Sequence, residues 1–305
     1  MKRVLLTGAS GFIGRHAIPF LIEKGYEVHA VYKDRNHGLK EENNLYWHKC
    51  NLLNSLEQEQ LLAEVKPSHL LHLAWYAIPG KYWMSLENLK WVKASSEFIV
   101  NFVKQGGIRA VVAGTSAEYD WSTGYCSEKV TLLKPSSIYG TCKNNLHDTI
   151  QQISTKTGLS YAWGRVFYLY GPYEYPDRLV ASVICSLIKD KNVTCHHGNL
   201  IRDFLHVQDA ASAFVSILDS NVMGPVNIAS GISVALMDVV NTIADKLNKR
   251  ALVRFEVSPS TINEPGMLVA DTKRLNSEVD WVPGYEIERG LEQTIDWWKT
   301  KGKIN

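Results

Sequence analysis

The chain has 305 residues, 45% of them hydrophobic and 21% charged, a globular composition that excludes disorder and collagen-like repeats. Thirty-three Lys and Arg against 31 Asp and Glu leave a formal charge of +2, too even for a large nucleic-acid-binding face. The longest apolar runs, such as LLHLAWYAI, stop short of the ~18 residues of a membrane span, the start MKRVLLTGASGFIG is no signal peptide, and five cysteines without CxxC spacing make no disulfide framework. A reducing cytoplasm is therefore expected, with neither membrane nor nucleic acid as partner.

The first half alternates strand-like and helix-like segments. Val4-Leu5-Leu6 reads as a buried strand, Phe12 to Lys24 as a helix stopped at Gly25, and Tyr26 to Tyr32 as a second strand. A helix over Leu52 to Glu64, a strand over Leu70 to Ala74, and a long helix from Leu86 to Gln105 follow. The strand Ala110 to Ala113, a helix from about Tyr139 to Thr157, and a strand Tyr161 to Phe167 complete the pattern. Strands separated by helices predict an α/β fold, a doubly wound parallel sheet covered on both faces. About 150 residues per domain gives two domains. We place a dinucleotide-binding domain at 1–167, with about 204–230 returning to it. A smaller, discontinuous C-terminal domain then occupies most of 168–305. There, Leu179 to Lys189 reads as a helix and PVNIAS as a strand. Ile287, Leu291, Ile295 and Trp298 mark the packed face of the last helix.

Thr7 to Gly14, TGASGFIG, follows the first strand and opens the first helix. Gly8, Gly11 and Gly14 supply a tight turn, main-chain amides open to a diphosphate, and close helix–strand packing. In that context the triad reads as a dinucleotide site, with Gly8, Ser10, Gly11, Phe12, Ile13 and Gly14 as contacts. The end of the second strand falls near Tyr32, where an acidic residue usually meets the adenosine ribose. Here Lys33 and Arg35 flank Asp34, and cations at that place suit a ribose 2′-phosphate. NADP(H) is the expected cofactor, and Asp34 keeps NAD open.

Tyr139 and Lys143 stand four apart, one turn on one helix face. A neighbouring ammonium would stabilise phenolate and bring the phenol, with its ordinary pKa of about 10, toward working pH. Tyr125 and Lys129 share that spacing but lie in a loop-like stretch, whereas Tyr139 follows a plausible helix start, Pro135-Ser136-Ser137. A hydroxyl partner is expected at the end of the preceding strand, at Ser116, with Thr115 the alternative. Cys195-His196-His197 has no second ligand cluster at zinc spacing, so no metal is expected.

With TGASGFIG, HLAW, GTSAEY, YGTCK, RVFYLYGP and RDFLHVQDAA in place, the chain resembles almost end to end an extended short-chain dehydrogenase/reductase. The group it resembles is that of the nucleotide-sugar epimerases, dehydratases and reductases. The resemblance implies Ser116, Tyr139 and Lys143 as the catalytic triad, and Ala74, Asn51 and Leu52 near the cofactor. It also implies a supporting role for Asn88, a diphosphate grip for Arg202, and a nucleotide-binding segment after Arg178. A nucleotide-diphosphate sugar as partner and a homodimer built on two long helices are implied too. Planar guanidinium forks suit diphosphate oxygens in any case. Tyr168 departs from the usual asparagine and is a candidate substrate contact. The bulky run Trp75 to Trp83 replaces a smaller loop.

Three reactions of the group share the triad. A 4,6-dehydratase needs an additional acid–base pair, Asp-Glu, directly after the catalytic hydroxyl residue. After Ser116 stand Ala117 and Glu118, so Glu118 is a further catalytic candidate but the acid is missing. An epimerase keeps NAD tightly held, whereas a 4-ketoreductase consumes NADPH. The Lys33/Arg35 pair favours the last: reduction of an NDP-4-keto-6-deoxyhexose at C4. The epimerase and dehydratase stand as alternatives, and a non-catalytic dinucleotide-binding protein as an alternative of another class.

Overall fold

In the computed structural model, residues 2–34, 43–256 and 265–301 are described, and Arg35 lies outside them. The short apolar runs become strands because parallel strands buried on both faces need continuous apolar residues. In chain order these elements are β1 (Arg3–Thr7), α1 (Gly14–Glu23), β2 (Glu27–Tyr32), β3 (Leu45–Lys49), α2 (Ser55–Val65), β4 (His69–His72), α3 (Glu87–Lys104) and β5 (Arg109–Thr115). Next come β6 (Tyr125–Cys126), α4 (Ile138–Thr157), β7 (Ser160–Val166), β8 (Tyr168–Tyr170), α5 (Leu179–Ile188), β9 (Val193–Cys195), β10 (Ile201–His206) and α6 (Val207–Asp219). The chain continues through β11 (Gly224–Ile228), β12 (Ser233–Ala235), α7 (Leu236–Lys246), β13 (Val253–Phe255), β14 (Met267–Ala270), α8 (Lys273–Glu278) and α9 (Ile287–Lys301).

Seven parallel strands form the main sheet in the order β11-β7-β5-β4-β1-β2-β3. From β1 the chain runs outward through β2 and β3, then returns to the other side of β1 as β4. That reversal opens a crevice at the carboxyl ends of β1 and β4, where such sheets bind ligands. One face packs Leu21 of α1 against Phe214 and Ile217 of α6. The other packs Leu62, Phe98, Phe102, Leu146 and Ile150 from α2, α3 and α4.

After Val166 the chain leaves this sheet. β8 pairs with β10, which also takes β12 and β14 as neighbours, and β14 carries β6. α6 then packs on α1 and β11 joins the main sheet beside β7. The expected face of the last helix is buried as read: Leu291 and Ile295 pack against Ile184 and Val240 of α5 and α7. Besides the short strands of the small sheet and a helix α2 that begins at Ser55 rather than Leu52, two features differ from the sequence reading. α1 starts at Gly14 rather than Phe12, because residues 8–13 are spent on the turn. β3, LYWHK, went unread: as an outer strand it carries a mixed burial pattern, without a buried strand's apolar run.

Asp203 ties the small sheet together. Its fully buried carboxylate accepts from Ser230 N and Oγ, Gly231 N and Ala270 N, at 2.7–3.2 Å. Removing the acceptor leaves the buried Ala270 amide and three part-buried donors without their partner, so Asp203→Ala is expected to lower the unfolding free energy by about 1–3 kcal/mol in urea titrations.

Candidate active site

Residues 8–14 build the turn that the glycines foretold. Gly8 has φ +69°, and a Cβ there would lie 2.9 Å from Ala74 N and Leu73 C. A Cβ at Gly14 would run into Gly8 O, and into Ala9 Cα at 2.8 Å. Glycine thus brings α1 and β4 against the turn, leaving Ser10, Gly11, Phe12 and Ile13 at least partly exposed around the helix start. Unpaired amides at a helix start attract phosphate oxygens, and the backbone leaves room for them, so the cradle fits a dinucleotide. Ala74 sits directly on it, its amide donating to Thr7 Oγ1 at 3.3 Å. The Cys50 amide bonds Tyr32 O, which sets Asn51 and buried Leu52 beside the end of β2, where Lys33 is exposed. Sequence reading missed Arg15. It donates to Ser10 O and Gly11 O and lies 4.0 Å over the Tyr173 ring, bracing the turn from outside.

α4 carries the acid–base pair. The Ser137 side chain caps it by accepting from Gly140 N at 3.0 Å. A Cβ on Gly140 would collide with Ala117 O, so glycine lets α4 press against the residues following β5. Tyr139 and Lys143 share the helix, whereas Tyr125 is in β6 and Lys129 in a turn, off any helix face.

The hydroxyl that meets Tyr139 is Thr115's, the alternative to Ser116. Of the two candidate hydroxyls, Thr115's is thus the one set against the phenol. Thr115 is the last residue of β5, and Ser116 opens the 3-10 turn that follows it. Ser116 instead offers its carbonyl to Trp121 Nε1 at 2.8 Å.

Glu118, the further catalytic candidate, is engaged within the fold. It is fully buried and accepts from Thr115 N (2.8 Å), Trp163 Nε1 (3.0 Å) and Arg165 Nε (2.7 Å). With Thr115 it closes a capping box on the turn Ser116–Glu118. A carboxylate so occupied is a brace for the floor of the site.

Electrostatics at the pair differ from the simple expectation. Lys143 is 3% exposed, and burial pushes its amine down to about 7, with Glu118 opposing. Its Nζ donates to Ala113 O at 2.7 Å and lies 3.8 Å from the centre of the Trp75 ring. The Tyr139 phenol is held well above its ordinary value, first by burial and then by Tyr82, while Thr115 and Arg178 pull it down. Lys143 is thus turned toward the carbonyl and the indole, and burial outweighs any lowering of the phenol.

Around Tyr139 the bulky loop forms an aromatic wall. Tyr82 and Trp83 stand edge-on to its ring at 4.8 and 5.7 Å, and the Tyr139 amide donates to Trp83 O. Asn88 pins this loop, accepting from Trp75 Nε1 (2.8 Å) and donating to Tyr82 O and Ser85 O. Arg178, exposed at the start of α5, reaches 5.8 Å over Tyr82 and hydrogen-bonds it. Arg202 and Tyr168 meet each other on β10 and β8, the guanidinium 5.4 Å over the ring. Arg202 is 1% exposed and donates to Ile201 O and Pro265 O, so in this arrangement it presents no open face to an anion.

A glycine cradle beside a half-buried tyrosine and a buried lysine at a topological switch point defines a dinucleotide-dependent oxidoreductase. The profile of the NAD dependent epimerase/dehydratase family matches residues 4–229, and the chain belongs to that family. UDP-glucuronic acid decarboxylase 1 of Danio rerio is 24% identical over 97% of this chain and 72% of its own length. The dTDP-4-dehydro-6-deoxyglucose reductase of Escherichia coli is 26% identical over 96% of both. Among solved structures, the UDP-glucuronic acid 4-epimerase of Bacillus cereus, in complex with UDP-glucuronic acid and NAD, has a TM-score of 0.86 at 22% identity. The match covers 98% of this chain and 99% of that one. In class the protein is thus a dinucleotide-dependent oxidoreductase of the epimerase/dehydratase family.

Two outcomes test the site. Between pH about 7 and 10.5 the unfolded chain holds the Lys143 proton and the folded chain does not. Stability should therefore rise with pH across that window, by up to about 1.4 kcal/mol per unit, and Lys143→Met should remove that rise from urea midpoints. Thr115→Val should cut kcat by roughly 10²–10³, while Ser116→Ala stays within about threefold; the reverse order restores the first reading.

Proposed function

We propose that the protein is an NADPH-dependent reductase of an NDP-4-keto-6-deoxyhexose at C4. The observation that carries this reading is the register at Thr115. The two residues after the hydroxyl are Ser116 and Ala117, neither of which can serve as the acid–base pair that elimination of water requires. Without such a pair beside Thr115, we read the chemistry as hydride exchange at C4. Similarity to the E. coli reductase over nearly the full length of both chains supports net reduction. The exposed Lys33 just past β2 supports a 2′-phosphate on the cofactor. Arg35, its expected companion, lies outside the described residues.

When bound, the dinucleotide supplies or accepts hydride. Gly8, Ser10, Gly11, Phe12, Ile13 and Gly14 would hold its diphosphate, and Ala74, Asn51 and Leu52 would flank it. Lys143 would bond ribose hydroxyls. Tyr139 Oη gives its proton to the C4 oxygen of the sugar. Thr115 Oγ1 orients that oxygen beside the phenol. A phenol held above its usual range by burial is protonated at neutral pH, which suits it to donate in the reductive direction. The wall of Tyr82 and Trp83 excludes water from that transfer. Arg178 stands ready for the nucleotide-sugar diphosphate. We assign Tyr168 and Arg202 to the same subsite, which requires the guanidinium to turn from its carbonyl partners. We further propose a cytoplasmic homodimer through α3 and α4, where Leu89 and Val100 are exposed on α3.

The assay is direct. Purified protein with NADPH and NDP-4-keto-6-deoxyglucose should consume reduced cofactor, and Tyr139→Phe should lose about 10²–10⁴ in kcat while still binding cofactor. No loss of absorbance with any nucleotide rejects the reductase. An epimeric hexose formed without net oxidation supports the 4-epimerase, and cofactor binding with no turnover at all supports a non-catalytic binder.

A further inference from the structure

The side chain most closely applied to Lys143 is Trp75. Its indole centre lies 3.8 Å from Nζ, inside the range where a ring face attracts a cation, and this attraction grows where water is excluded. The indole is itself fixed, its Nε1 donating to Asn88 Oδ1 at 2.8 Å and its ring lying 6.1 Å from that of Trp91. We propose that Trp75 is the positioning residue for Lys143, its π face seating the amine at the floor of the cleft and favouring its protonated form against the opposing effect of burial. The role rests on Lys143 serving a dinucleotide, as inferred above.

The surroundings leave the indole as the compensating partner. A buried ammonium needs one, since burial alone favours the neutral amine. From the turn after β5, Glu118 acts favourably on Lys143, but its carboxylate is already shared with Arg165 of β7 and two other donors. From β4, His72 is pushed down to about 3 and stays neutral. On α4 itself, His147 is pushed down to about 4, also neutral, and Tyr139 is protonated. β5 presents a carbonyl, Ala113 O, which accepts from an amine in either charge state. Trp163 of β7 offers a second ring, but at 5.9 Å.

Two measurements test this on the intact protein. The first is the pH at which stability begins to rise toward 10.5, read from urea midpoints. Removing the ring face lowers the proton affinity of the amine, so Trp75→Leu should move that onset down by about one pH unit. Trp75→Phe, which keeps a π face, should recover at least half of the displacement. The second is the alkaline fall of kcat/KM for the dinucleotide, which reports the ionisation in the free enzyme and should move the same way. An unmoved or rising onset overturns the proposal, and so do equal displacements in the Leu and Phe variants, because a packing role alone does not distinguish a π face. If Trp75→Leu does not fold, Trp75→Met fills more of the volume without a ring and takes its place. A shift in the first measurement without turnover on any nucleotide-sugar ketone leaves the role of Trp75 standing and rejects the functional reading instead.

Discussion

The site depends on how near α4 comes to the end of β5. Gly140 has no side chain, so the first turn of the helix rests on Ala117 O. A Cβ on Gly114 would collide with Trp163 Nε1 and come within 2.8 Å of Glu118 Oε1, so the strand tolerates only hydrogen there. These two contacts put Thr115 beside Tyr139 and Ala113 O beside Lys143, joining an acid–base pair on one element to its partners on another. A methyl group at 140 would force the helix outward and one at 114 would displace Trp163 and Glu118, so the chemistry would lose its geometry before the fold lost its core.

That close approach has an electrostatic cost. Lys143 and the Tyr139 phenol are both held from their charged forms by burial. The protein offsets this with a layered arrangement. The Glu118–Arg165 pair, at 2.7 Å and almost wholly buried, supplies a neutral-in-sum base layer. Above it come Trp163 and Trp75, then the amine and the phenol, then the Tyr82 and Trp83 wall. Asn88 connects the layers, because one amide holds both the indole under Lys143 and the backbone of the wall beside Tyr139.

Much of this was legible in the sequence, and the rest failed for identifiable reasons. The glycine turn could be read because its chemistry demands glycine at three fixed places. α4 could be read because Ser137 and the apolar spacing agree on where it begins. The choice between Thr115 and Ser116 could not be read, since the two carry the same group and the sequence does not show where β5 gives way to the 3-10 turn. Glu118 looked like a base through its spacing, yet spacing does not report Arg165, which is 47 residues away in the chain and bonded to it in space. The small sheet was not predicted strand by strand because its members are short. β6 has two residues, and β8, β9, β12 and β13 three each, below the length at which alternation shows. Trp75 appeared only as part of a bulky run, and no periodicity links it to Lys143.

The register at Thr115 also bears on how reactions diverge on this scaffold. With the hydroxyl at 115, the next two side chains are Ser116, whose carbonyl is engaged by Trp121, and Ala117, whose carbonyl supports Gly140. Both positions are committed to holding the turn, and Glu118 to its buried pair. An acid–base pair for elimination would need carboxylates at 116 and 117. Ala117 is 4% exposed and lies under α4, so a carboxylate in its place would either displace the helix or be buried without a cation, since Arg165 is already occupied. On the reductase reading, the packing of the turn that brings Tyr139 and Thr115 together is what leaves no room for an elimination pair at 116 and 117.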